Sequence, residues 1–326
     1  MKAARRRLPW LAGALAAALL TTSCTGPSPV QVSQSSTERQ LEISSGETAT
    51  EQGLAHILVG ALKHAGIDAR FHGTAAEPGR TVIDGGADAA LLGSTGLLHL
   101  LTDAGDAVLE PQATPGGSSA APDTAGVADG LSAAQTMDKL RAMALKDLAV
   151  LPPAAADDRE VLAVTAATAE RYGLRSLNDI GRFCPELAFG APASFVLAGT
   201  GAKDLAGDYG CTPESLRALE PADDALLIGL LDDRVQAALL DAGDASIPDN
   251  ALVPLDDPKM LFPAQQFTPL VTTRDLGQDA IDTINAVTRK LDQEQLVEIN
   301  RAVSGPDALD PKTAADYWLA DHGFNG

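Results

Sequence analysis

Aromatic residues are scarce in this 326-residue sequence, at 4%. That argues against a single-stranded nucleic-acid binder, which stacks bases on several rings along a basic groove. Basic residues are scarce too: 24 Lys and Arg stand against 44 Asp and Glu, for a net charge of −20, and Lys2, Arg5, Arg6 and Arg7 crowd into the first seven positions. A surface this acidic repels phosphate backbones, so no nucleic-acid partner is expected. Catalytic signatures are missing as well. Gly93-Ser94-Thr95-Gly96 and Ala191-Pro192-Ala193-Ser194 approach a Gly-x-Ser-x-Gly nucleophile elbow without forming one. Gly85-Gly86 and Gly116-Gly117 lack the spacing of a phosphate cradle. His56 and His64 stand two helical turns apart, too far to share an ion, and His72, His99 and His322 are isolated. No metal, no cofactor and no enzyme activity are expected. The acidic pairs Asp157-Asp158, Asp223-Asp224, Asp232-Asp233 and Asp256-Asp257 fall at element boundaries and read as solvated turns.

Cysteine is limited to three residues, and no apolar run is long enough to span the ~30 Å hydrocarbon core of a membrane as a helix. The longest, Leu8 to Leu20, follows the basic cluster and ends at Thr21-Thr22-Ser23-Cys24, which reads as an export signal. Small residues before a cysteine resemble a bacterial lipobox, although Leu20 stands one place further out than usual. Cys24 is the expected lipidation site, and two acyl chains would hold the protein on the outer face of the membrane. Ordinary secretion, with Cys24 incidental, is the other reading. Cys184 and Cys211 are then an isolated pair in an oxidising compartment and are expected to form a disulfide contributing about 3 kcal/mol. Neither has the neighbouring Cys or His of a zinc site.

Hydrophobic residues make up 45% of the chain and charged residues 21%, ordinary globular composition for roughly two domains of about 150 residues. Residues 24–39 read as a flexible tether. Strand-like apolar runs near 41–43, 67–71, 87–92, 161–165, 187–190, 235–240 and 251–255 alternate with helical patterns, which argues for α/β layers around largely parallel sheets. The last 50 residues read as consecutive helices, over 277–290, after Asp292 with Gln295 three residues on, and from Asp310-Pro311 to His322. Residues 110–131, rich in Pro, Gly, Ser, Ala and Asp, read as a surface insertion. An exported, acidic α/β protein without catalytic residues fits delivery of a small solute to a membrane importer.

From about Asp157 onward the sequence resembles the solute-binding proteins of ABC importers for glycine betaine, choline and related osmoprotectants. The strings that carry the resemblance are Leu162-Ala163-Val164-Thr165, Thr168 to Ile180, Pro185 to Gly190, Tyr209-Gly210-Cys211, Leu252 to Asp257, Phe262-Pro263 and Lys290 to Asn300. Thr50-Glu51-Gln52 and Thr95-Gly96 extend it toward the start. The resemblance implies a two-lobed, type II periplasmic-binding-protein-like fold with two hinge strands, and places the crossovers near 161–165 and 268–272. With the signal peptide read over 1–23, it gives lobe 1 over 40–156 plus 260–326, and lobe 2 over 157–259. The implied partners are a small-molecule solute and the ABC permease, with membrane contact only through the lipid, and the chain is expected to be a monomer.

Members of that family hold a quaternary ammonium in a cage of tyrosines. Along the matched strings the tyrosines become Leu91, Ser94 and Asp241, a tyrosine-asparagine becomes Gln265-Gln266, and the first turn carries Glu47, Thr48 and Ala49. The carboxylate-pairing arginine after Phe195 is absent. The expected ligand-binding residues are therefore Glu47, Thr48, Ser94, Thr95, Phe195, Asp241, Asp244, Gln265 and Gln266. This set favours a neutral or cationic, hydrogen-bonding solute. The alternative is a degenerate member that serves as an envelope scaffold.

Overall fold

The structure, a computed structural model, describes residues 39–105, 108–109, 130–198, 200–219, 224–274, 276–305 and 307–324. The expected export signal, Cys24, the expected tether up to residue 38 and residues 110–129 of the expected insertion lie outside the described residues.

The chain opens with β1 (Leu41–Ser45) and α1 (Ala49–His64). Thr48 starts α1 because its hydroxyl accepts from the Glu51 amide at 3.2 Å, while the Glu51 carboxylate accepts from the Thr48 amide at 3.0 Å. The helix buries Leu54, Ile57, Leu58, Ala61 and Leu62, each large side chain contributing roughly 1.5–3 kcal/mol. It ends where Gly66 takes a φ of 81°. There follow β2 (Ala69–Thr74), α2 (Pro78–Ile83), β3 (Ala89–Gly93), α3 (Ser94–Ala104), α4 (Ala133–Ala142) and β4 (Leu148–Val150).

A second set is then built from β5 (Glu160–Thr165), α5 (Ala166–Tyr172), α6 (Leu177–Ile180), β6 (Ala188–Ala191), α7 (Ala193–Ala198) and α8 (Thr200–Tyr209). It continues with β7 (Ser215–Ala218), α9 (Ala225–Leu231), β8 (Ala237–Asp241), α10 (Ser246–Asp249) and β9 (Leu252–Pro254). The chain returns to the first set through β10 (Phe267–Thr272), α11 (Gln278–Lys290), α12 (Gln293–Val303) and α13 (Pro311–Asp321).

Two five-stranded sheets result, ordered β2-β1-β3-β10-β4 and β7-β6-β8-β5-β9. They follow one plan. Three parallel strands lie on one side, and the strand that has just arrived from the other sheet, β10 or β5, pairs antiparallel with both its neighbours. The sheets are thus mixed rather than largely parallel, because a strand delivered at the hinge runs away from it while the parallel strands run toward it. Apolar clusters cover both faces of each sheet, as expected of α/β layers.

The two crossings sit ahead of the positions expected from the sequence. Residues 161–165 and 268–272 lie inside the sheets, and the chain passes between the lobes at 151–159 and 255–266. These segments form a short antiparallel ribbon: the Ala154 amide donates to Phe267 O at 2.8 Å, Asp158 N to Gln265 O at 3.2 Å, and Asp157 bridges Gln266. Cys184 and Cys211 are bridged, with Cα atoms 5.2 Å apart, inside the main apolar cluster of lobe 2. Among the described residues no helix is long and apolar enough to cross a membrane.

Candidate functional site

The loops after β1, β3 and β8 reach the hinge, the end of open α/β sheets where ligands collect. At the start of α3, Ser94 and Thr95 are buried and both donate to the Ala264 carbonyl, at 3.0 and 2.7 Å. The Gln266 amide donates to Ser94 Oγ at 3.2 Å, and the Gly96 amide to Gln265 Oε1 at 3.3 Å. The Gln266 side-chain amide donates to Ala154 O at 3.3 Å. Four of the nine expected residues therefore converge, but on one another, fastening α3 to the second crossing.

A second group gathers on the lobe 2 side. Glu160 and Asp241 stand directly opposite each other in the β5–β8 ladder, a like-charge pair that weakens a sheet. Asp158 accepts from the Gly243 amide at 2.9 Å. Burial, together with the Asp241, Asp157 and Glu51 carboxylates, pushes the Asp158 carboxyl up to about 7. Asp241 stays accessible to water. Even so, the loss of hydration among its neighbours, followed by the charges of Glu160, Asp244 and Glu51, raises it to about 6. Burial raises Glu160 also. Glu51 belongs to lobe 1, so the charge of one lobe is felt at the carboxylates of the hinge and the other lobe. The cation Arg159 is held by Asp157 in an ion pair.

The remaining expected residues are less involved. Glu47 is exposed, and its carbonyl accepts from Gln52 Nε2. Thr48 spends its hydroxyl on the α1 cap. Asp244 accepts from the Ser246 amide at 2.8 Å, with its charge felt at Asp241. Phe195 packs against the lobe 2 core, with its ring centroid 6.4 Å from that of Phe262. The acidic pairs are not all solvated turns: Asp158 is held as above, and Asp257 accepts from the Tyr209 hydroxyl and, at 2.8 Å, from the Phe262 amide. Glu51 and Glu160 went unrecognised because one reads as a helix cap and the other as a strand start. Among the described residues no group of three or more His, Cys, Asp or Glu could hold a metal ion.

α12 ties the residues after β8 and the first crossing to lobe 1. Gln293 donates to Ala242 O and accepts from the Asp157 amide, both at 3.0 Å. Asn300 accepts from the Ala245 amide at 3.0 Å and donates to Thr50 Oγ1 at 3.1 Å. Arg301 pairs with Asp249 through two nitrogens. Gly243 has no room for a side chain, since a Cβ would lie 2.7 Å from both Leu296 Cδ2 and Asp158 Oδ1.

Residues 39–321 match the model of one protein family, the substrate-binding domain of ABC-type glycine betaine transport systems. Solved structures share the fold, that of the type II periplasmic binding proteins. A glycine betaine/carnitine/choline ABC transporter structure is similar at a TM-score of 0.69 and 19% identity, covering 87% of this chain and 99% of that one. Apo YehZ from Escherichia coli is similar at 0.65 and 20%, covering 88% and 99%. Lactococcal OpuAC, closed on glycine betaine, is similar at 0.53 and 13%, covering 87% and 96%.

Proposed function

The chain belongs to the family of substrate-binding domains of ABC-type glycine betaine transport systems. From that membership we propose an extracytoplasmic solute-binding protein, held to the outer face of a bacterial membrane by lipid on Cys24, that hands a small cationic solute to an ABC permease. The observation that carries the solute class is the set of carboxylates Asp158, Glu160 and Asp241 at the hinge and on lobe 2, each raised chiefly by loss of hydration, with the charge of Glu51 from lobe 1 felt at Asp158 and Asp241. Like charges that resist ionisation together are relieved by a bound cation bearing N–H donors. Ring faces are not available for a quaternary ammonium at the matched positions, because these carry Leu91, Ser94 and Asp241, while Phe195 turns into the lobe 2 core.

Thermal-shift screening against amines, polyols, sugars and betaines tests this, since a tight ligand raises the melting temperature by mass action. A primary or secondary amine is expected to raise it more than glycine betaine does, and Asp241→Asn is expected to remove the effect. Micromolar calorimetric affinity for glycine betaine or choline would sink the solute class. A second reading, an envelope scaffold that no longer binds solute, is favoured by the way Ser94, Thr95 and Gln265 satisfy one another. It stands if no compound in the screen shifts the transition.

A further inference from the structure

The side of lobe 2 built from α5, α6 and the turn after them carries Arg171, Arg175 and Arg182, all exposed. Arg171 lies over the Tyr172 ring at 5.1 Å and Arg182 over the Phe183 ring at 4.6 Å. The two rings are themselves tilted against each other at 5.0 Å, so guanidinium, ring, ring and guanidinium form one continuous array. Cys184 follows directly, and its bridge to Cys211 braces the corner.

Of the other exposed arginines in the described chain, Arg70 pairs with Glu42, Arg141 with Asp138, Arg234 with Asp232, Arg274 with Asp147 and Arg301 with Asp249, while Arg217 and Arg289 make no such pair among the described residues and lie over no ring. Arg171, Arg175 and Arg182 make no carboxylate pair either, among the described residues, although acids surround them in sequence. Asp179, which stands between Arg175 and Arg182, instead caps α6 by accepting from the Arg175 and Ser176 amides at 3.1 and 3.0 Å. A guanidinium stacked on a ring keeps its fork of N–H donors free for an incoming carboxylate.

We propose that this array is a docking surface for an acidic segment of a partner protein, with the guanidiniums taking its carboxylates and the Tyr172–Phe183 pair its apolar side chains. Charge complementarity argues for a protein segment. A chain of net charge −20 is repelled as a whole by an anionic membrane or by a second copy of itself, whereas a short segment can reach one positive patch within a Debye length. The composition, Arg with Tyr and Phe, is that of interface anchors.

The test titrates the full chain by calorimetry with a peptide of alternating Glu and Leu, and with its Gln-for-Glu counterpart, at low and high salt. The Glu peptide is expected to bind, the Gln peptide to fail, and the double variant R171Q/R182Q to lose at least about tenfold in affinity, which is ~1.4 kcal/mol. The charge-matched pair R217Q/R289Q, also exposed, is expected to bind as the unaltered chain does, and equal melting temperatures check that all variants are folded. Absence of Glu-peptide binding, or equal loss in both double variants, would overturn the proposal. So would phosphatidylglycerol-vesicle binding or self-association that the R171Q/R182Q pair abolishes while peptide binding persists.

Discussion

Asp158 and Asp241 keep their protons to about 7 and about 6, well above the ordinary aspartate value, so the folded state binds these protons more tightly than the unfolded chain. Stability must then fall as pH rises between roughly 4 and 7, and the unfavourable contribution is complete above that window. Asp147, Asp249 and Asp310 are shifted the other way by hydrogen bonds from Arg274, Arg301 and Thr313, so the stability they lend is present above about pH 4 and is lost only as pH falls below it. Asp158→Asn is therefore expected to raise the melting temperature near pH 8 and to flatten its decline from about pH 5, as read by calorimetric melts. A variant that melts lower at every pH would contradict the burial of an unpaired charge. Sequence alone could not show this, because Asp157-Asp158 looks like any acidic turn and its partners arrive from Asp241, Gly243 and Glu51, far away along the chain. Asp241 was reachable only through the resemblance, which marks a position that should carry a ring.

At the scale of elements, apolar spacing was enough to locate α1, β1, β3, β5, β8 and the three closing helices, whose caps at Thr48, Asp292 and Asp310 are all formed. It did not reveal β4, α2 or β7, which are short and lack alternation over enough residues to register. Nor did it show the office of α12, whose Gln293, Asn300 and Arg301 look like a solvated face. They grip the loop of residues 242–249, and Leu296 closes over Gly243 between them. Gly243→Ala is expected to cost about 1–3 kcal/mol through overpacking against Leu296. Because the clash lies between the lobes, small-angle scattering is expected to show a larger radius of gyration while both lobes remain folded. Unchanged scattering would mean that α12 does not govern the distance between them.

For the whole molecule, the anchor and the bridge can be tested separately. Cys24→Ser is expected to move the protein from the membrane fraction into the medium, and a variant that stays with the membrane would place the anchor elsewhere. Cys184→Ala with Cys211→Ala is expected to lower stability by about 3 kcal/mol without moving the protein, as measured by denaturant unfolding. The α/β layers were legible because strand–helix alternation repeats along the chain, and the two lobes through the resemblance, whereas the antiparallel pairing of β5 and β10 inside each sheet was not, since their neighbours lie far away along the chain. That arrangement also sets an order of assembly. Among the described strands β4 pairs only with β10, and β10 emerges after every residue of lobe 2. On the proposed route, with the chain exported N-terminus first, lobe 2 can finish as a continuous unit, but the lobe that is made first must wait with an unfilled slot in its sheet. The earliest-born half of the protein is thus the last to mature, and is the half a passing chaperone or protease meets in an unfinished state.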